Sequence, residues 1–151
     1  VYRAAGSIMR RRGVAAGVAD EGGWWPAFDS NEAALETLVE AIRLAGEEPG
    51  GRVAISLDVA ASEFGRAGRY RLALDGRTLD REGMVALVGG WLDRFPIASV
   101  EDPLAEDDPE GLAAFTALHG DRVQVVGDDA LVTDARLVRE AAARGAYNAV
   151  L

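Results

Sequence analysis

Apolar positions along the chain follow two alternating rhythms, a helical spacing of three to four residues and short unbroken runs. Residues 1–12 set Val1, Ala4, Ala5, Ile8 and Met9 on one helical face, and Gly13 closes the segment. Residues 14–30 read as a Gly-rich, aromatic loop. Over 31–45, Leu35, Leu38, Val39 and Ile42 recur at helical spacing up to a stop at Gly46. A short apolar strand over 53–57 ends on Asp58. Residues 60–78 read as an excursion in which Tyr70, Leu72 and Leu74 alternate, with Asp75-Gly76 as a turn. A helix over 80–94 turns Met84, Leu87, Val88 and Trp91 inward with Phe95, and Pro96 ends it.

The rhythm then repeats. A strand over 97–100 runs into Glu101-Asp102-Pro103. Asp108 caps a helix with Pro109 in its first position, Leu112, Phe115 and Leu118 as its buried stripe, and Gly120 at its end. A strand over 123–126 passes through Gly127 into Asp128-Asp129. Thr133 caps a last helix carrying Leu137, Val138, Ala141 and Ala142, stopped by Gly145, and residues 147–151 begin a fourth strand. Strands alternating with helices predict parallel strands joined by right-handed crossovers, hence an α/β fold, either a barrel or a doubly wound sheet. The chain opens on a helix already under way and stops inside a strand-like run, which predicts a fragment of a larger protein.

Composition narrows the chemistry. With 49% hydrophobic and 27% charged residues, the 151-residue chain has an ordinary globular balance. The absence of Cys excludes disulfides, thiolate metal sites and a Cys nucleophile. No apolar run approaches the ~18–20 residues of a membrane helix, so no membrane insertion is expected. A net charge of −9 argues against nucleic acid as a partner. All 16 basic residues are Arg, so no Lys base or Schiff base lies within the sequence.

The acids are more informative. Three apolar strands each run out onto a carboxylate: Asp58, Glu101 and Asp128. At the C-terminal ends of parallel strands such side chains share one mouth. Three carboxylates together repel one another unless a hard cation sits among them, and an all-oxygen set suits Mg²⁺ better than Zn²⁺. The plainer reading is that acids after strands cap the next helix, but Asp108 and Thr133 already fill the later caps. Asp20-Glu21-Gly22-Gly23 adds a Glu on a loop that lets backbone approach a ligand, where it reads either as a general acid or as part of a solvated turn. His119 reads as a solvated histidine at a helix end, and Arg10-Arg11-Arg12 as cations suiting a helix C-terminus. Glu63 reads as a structural hydrogen-bonding group. Asp102 is expected to fix the loop that Pro103 stiffens.

Four motifs carry a resemblance. Asp20-Glu21-Gly22-Gly23, Leu57-Asp58-Val59-Ala60-Ala61-Ser62-Glu63-Phe64, Pro96-Ile97-Ala98-Ser99-Val100-Glu101-Asp102-Pro103 and Val126-Gly127-Asp128-Asp129 resemble the enolase (phosphopyruvate hydratase) family in order and spacing, across essentially the whole chain. The resemblance implies a partial (β/α)8 barrel, with residues 1–151 as the central part of an enolase-like C-terminal barrel domain truncated at both ends. It implies Asp58, Glu101 and Asp128 as Mg²⁺ ligands, Glu101 and Asp128 also against substrate, and Glu21 as the acid that helps the 3-hydroxyl leave 2-phosphoglycerate.

It further implies a cytoplasmic, glycolytic lyase acting on a small phosphorylated acid, assembled as a homodimer or larger. The family's catalytic base, a Lys, is expected just beyond Leu151, so the segment alone is expected to be inactive. Some positions depart from the family: Ala19 replaces a Gly, Trp24-Trp25-Pro26 replaces a Phe-Ala-Pro type of sequence, and Ala130 stands where a larger apolar residue is usual. These keep open a paralogue acting on a related phosphorylated or phosphonate acid, or a non-catalytic Mg²⁺-binding fragment.

Overall fold

The opening helical rhythm forms α1, Tyr2–Arg12, in a computed structural model that describes residues 1–151. The chain divides into two units, Val1–Ala54 and Ile55–Leu151, taken here in turn. Gly13 closes α1 in the left-handed region at φ 71°, a conformation that costs glycine least. Residues 14–30 are not a loop. They form β1, Ala15–Val18, and β2, Trp24–Pro26, an antiparallel hairpin with an irregular register between Ala15 and Gly17. A three-residue strand ending in Pro, beside a glycine-bearing tip, is too short to display alternation, so the sequence hid it. Helix α2, Asn31–Leu44, starts at Ser30, whose Oγ accepts from the Ala33 N–H at 3.1 Å. Its buried stripe is Leu35, Thr37, Ala41 and Ile42, with Leu38 outside it. Ala5, Ile8, Met9 and Ala41 form the unit's small core, with Trp24 and Phe28 packed against it.

The second unit begins with β3, Ile55–Asp58, and a single 3₁₀ turn at Ala61–Glu63. The excursion is itself a sheet: β4, Gly65–Arg66, β5, Arg69–Leu72, and β6, Arg77–Asp80, pair antiparallel in that order. Tyr70 and Leu72 are buried as the alternation predicts, but Leu74 lies in the β5–β6 turn and is 58% exposed. There follow α3, Arg81–Arg94, β7, Ile97–Glu101, and α4, Pro109–His119. The chain closes with β8, Gln124–Gly127, α5, Ala135–Arg144, and β9, Ala149–Val150.

Strands β3, β7, β8 and β9 form one four-stranded sheet, in that order and all parallel, with α3, α4 and α5 on the crossovers. This is the predicted α/β architecture, as an open sheet and not a closed barrel. Ile55, Val100 and Val125 are buried along with Met84, Val88, Trp91, Leu112 and Phe115 of the helices. The other face is polar: Ser56 and Ser99 hydroxyls hydrogen-bond at 2.6 Å across β3 and β7. Period-two alternation puts Asp58 and Glu101 on that polar face.

Two helix expectations need correction. Leu118 is 62% exposed although it continues the stripe of Gly111, Leu112 and Phe115 at helical spacing, because nothing covers that stripe at the last turn of α4. Thr133 does not cap α5; it sits at φ 56°, and Asp134 accepts from the Arg136 and Leu137 N–H groups instead. Asp128 lies outside this cap.

Candidate functional site

Strand register sets the positions of the acids. Asp58 pairs with Glu101 across β3 and β7, Glu101 pairs with Val126 across β7 and β8, and Asp128 directly follows the last residue of β8. Three adjacent parallel strands therefore end on Asp58, Glu101 and Asp128 at one end of the sheet. Asp58 is exposed, and its Oδ1 accepts from the Ala60 N–H at 3.0 Å, which bends the chain away from the strand. The Val59 N–H continues the ladder onto the Glu101 carbonyl at 3.0 Å.

Glu101 and Asp128 are half-buried. Burial pushes the Glu101 carboxyl above the usual range, and the charges of Asp58, Asp128, Asp102 and Asp129 push it further the same way. The chemistry of this donor set, all oxygen and anionic, fits a hard divalent cation. The carboxylates themselves are not drawn together: no three such side chains gather closely enough to hold a metal ion. The strand ends place the three acids at neighbouring backbone positions.

Beneath these acids lies a residue whose reach the sequence did not reveal. Asp102 is 2% exposed and left-handed at φ 37°, which turns its side chain into the protein. Its carboxylate accepts from the Asp129 N–H at 2.8 Å, the Asp128 N–H at 3.3 Å and the Tyr147 hydroxyl at 2.9 Å. Burial raises its pKa, and those three donors oppose the rise. Tyr147 is raised as well, by burial and then by the Asp102 charge. The expected loop-fixing role of Asp102 is present, but it acts on the Asp128–Asp129 loop. In sequence Asp102 is only one more acid beside Glu101, and its partners lie on other strands.

A second buried acid serves the fold. Asp108 accepts from the Gly111 N–H at 3.1 Å, the Tyr70 hydroxyl at 3.0 Å and Arg81 Nε at 3.1 Å, and Arg81 Nη2 pairs with its other oxygen. His119 departs from the solvated reading. Its ring lies 4.8 Å from that of Phe115, its Nδ1 is buried with no hydrogen-bond partner, and a Cβ at Gly89 would meet its Nε2 at 2.9 Å. Burial lowers its pKa, Arg122 adds to this, and Asp93 and Asp121 oppose it. Glu63 is exposed, and neighbouring Ser62 makes the local hydrogen bond, accepting from the Glu106 N–H at 3.0 Å.

Glu21 belongs to the first unit, at the hairpin tip between β1 and β2. The Ala19 N–H reaches the Gly23 carbonyl at 2.8 Å, the Gly22 N–H reaches the Ala19 carbonyl at 2.9 Å, and Gly22 takes φ 90°. Glu21 stands exposed on this tight turn. Trp24 anchors it: the indole stacks on Tyr2 at 5.0 Å, donates Nε1–H to the Tyr2 carbonyl at 3.0 Å, and lies under Arg10 at 5.2 Å. A Cβ on Gly6 would fall 2.2 Å from that ring, so only glycine admits the indole there. Trp25 is 64% exposed.

Parallel strands separated by helices, with acids at the C-terminal strand ends, make this an α/β protein of the kind that houses sites at that end of the sheet. Residues 1–151 match the family described as "Enolase, C-terminal TIM barrel domain", and the chain belongs to that family. It is 44% identical over 151 residues to "Enolase 1" of Methylococcus capsulatus, an alignment covering 99% of this chain. The chain spans 36% of the length of that relative. No helix is long and apolar enough to cross a membrane.

Proposed function

We propose that this chain is the central part of the barrel domain of a Mg²⁺-dependent hydro-lyase that converts 2-phosphoglycerate to phosphoenolpyruvate. The observation that carries the reading is the register placing Asp58, Glu101 and Asp128 on three adjacent strand ends. Family membership and the "Enolase 1" relative support the reaction type. Asp58, Glu101 and Asp128 would hold Mg²⁺, which when bound supplies Lewis-acid charge to the carboxylate of the substrate. Glu101 and Asp128, the half-buried pair, also orient the substrate beside them. Glu21, on its exposed glycine turn, delivers a proton to the departing 3-hydroxyl. By the resemblance to the enolase family, the proton on the carbon beside the carboxylate is taken by a Lys that is not among these residues, whose 16 basic side chains are all Arg. The setting is cytoplasmic and glycolytic, in a homodimer or larger assembly.

The test compares the longer protein with this chain, each supplied with 2-phosphoglycerate and Mg²⁺, following phosphoenolpyruvate by NMR. The longer protein forms product, and the 151-residue chain forms none above an enzyme-free blank. A second reading, a related phosphorylated or phosphonate acid, is favoured by the exposed Trp25 ring close to the Glu21 turn. It predicts faster turnover of such an acid than of 2-phosphoglycerate by the longer protein.

A further inference from the structure

Asp102, just past β7, bonds to β8 and to the segments that follow β3 and β8 and precede β9. Its N–H donates to the Val126 carbonyl of β8 at 3.0 Å, and its carbonyl accepts from the Ala61 N–H, just past β3, at 3.2 Å. Its carboxylate holds the Asp128 and Asp129 N–H groups and the hydroxyl of Tyr147, the residue that leads into β9. Glu101, its chain neighbour, ends β7. The tyrosine is seated in turn: a Cβ on Gly127 would fall 2.9 Å from the Tyr147 ring, so glycine there leaves the ring its place. The backbone that carries Asp128 is thus pinned by a buried carboxylate that is itself aligned by Tyr147.

We propose that Asp102 and Tyr147 are positioning residues for the cation site: they fix the backbone of Asp128 relative to Glu101 and so set Mg²⁺ affinity without touching the ion. The inference rests on the proposed Mg²⁺ role of Asp58, Glu101 and Asp128. Groups that orient metal ligands from behind typically govern metal affinity by about 10–100-fold. Positioning also differs from plain charge. Asparagine at 102 keeps the shape: its oxygen accepts from the Asp128 and Asp129 N–H groups, and its amide donates to the Tyr147 oxygen. Alanine keeps neither.

The experiment is Mg²⁺ titration of the longer protein by calorimetry, with amide exchange at Asp129 followed in the metal-free protein. Asp102→Ala is expected to weaken Mg²⁺ binding by about 10–100-fold and to unprotect the Asp129 amide. Asp102→Asn recovers most of that loss, and Tyr147→Phe loses part of it. If Asp102→Ala does not fold, Tyr147→Phe and Asp102→Asn carry the comparison. Wild-type affinity in Tyr147→Phe and Asp102→Ala, alongside a clear loss in Asp58→Asn, overturns the positioning role and leaves the metal reading standing. Asp102→Asn binding as poorly as Asp102→Ala also overturns it, since charge alone would then explain the effect. A wild-type longer protein that binds no Mg²⁺ overturns both.

Discussion

Two regions of the second unit hold acids in opposite ways. At the start of α4, Asp108 is matched on every side by the Gly111 N–H, the Tyr70 hydroxyl and Arg81. At the ends of β3, β7 and β8, Asp58, Glu101 and Asp128 occupy neighbouring positions, and the charges of Asp58, Asp128, Asp102 and Asp129 all push the Glu101 carboxyl upward. The first arrangement lowers the energy of the folded chain. The second raises it and is tolerable where a ligand of opposite charge belongs. The acids that stabilise this protein and the acids expected to act in it are therefore separable, and substitutions should sort them.

The largest effect is expected at Glu21, the exposed acid at the hairpin tip. In the longer protein, Glu21→Gln should cut turnover by ~10²–10⁴ while leaving Mg²⁺ affinity within a few-fold. Deuterium wash-in beside the substrate carboxylate, read by NMR, should survive, because proton removal uses another group. Loss of exchange and dehydration together, with Mg²⁺ still bound, would remove Glu21 from its assigned step.

Asp108→Ala should show the reverse pattern. It leaves the buried Tyr70 hydroxyl short of a partner, worth roughly 1–3 kcal/mol, and removes a helix cap, worth roughly 0.5–2 kcal/mol. Urea unfolding should register about 2–4 kcal/mol of lost stability with Mg²⁺ affinity unchanged. A Mg²⁺ effect as large as the stability effect would merge the two regions into one.

Asp58→Asn removes one anionic ligand from an exposed strand end. Mg²⁺ binding should weaken about tenfold or more, in part recovered at high Mg²⁺. Stability should stay within about 0.5 kcal/mol of wild type, as for other exposed positions.

The smallest effect belongs to His119, the only histidine in the chain. Its pKa in the folded chain lies below 6.5 because burial disfavours the imidazolium. The unfolded chain then binds more protons as pH falls through about 6.5, so this group's contribution is complete above that value and is lost below it. Urea midpoints should drop more steeply toward low pH in wild type than in His119→Gln. An imidazole NMR titration at or above the ordinary value would contradict the packing against Phe115 and Gly89.

Much of the second unit was legible in sequence because its repeating unit is long. The strands ending in Asp58, Glu101 and Gly127 lie between amphipathic helices with clear caps and stops, and Asp108-Pro109 marks a helix start that chemistry dictates. Family motifs then pointed to the same acids. The hairpin around Glu21 escaped because Trp24–Pro26 is too short to alternate, and its stability comes from an indole resting on Gly6 in another element. Leu118 and Leu74 show the limit of periodicity, which gives a stripe but not where the neighbouring element stops covering it. Asp102 escaped for a further reason. Its partners Asp128, Asp129 and Tyr147 are distant in sequence, and nothing local separates a buried acid from a solvated one.

The Ser56–Ser99 hydrogen bond joins residues 43 apart in the chain, and this distance bears on how the protein folds. Pairing β3 with β7 closes a long loop before the sheet returns any stabilisation, and pairings of that kind slow folding. The antiparallel strands β4, β5 and β6 lie inside that loop and join near neighbours in sequence, so they form by local turns and shorten the stretch still to be closed. An excursion that carries none of the strand-end acids thereby helps bring Asp58 and Glu101 side by side.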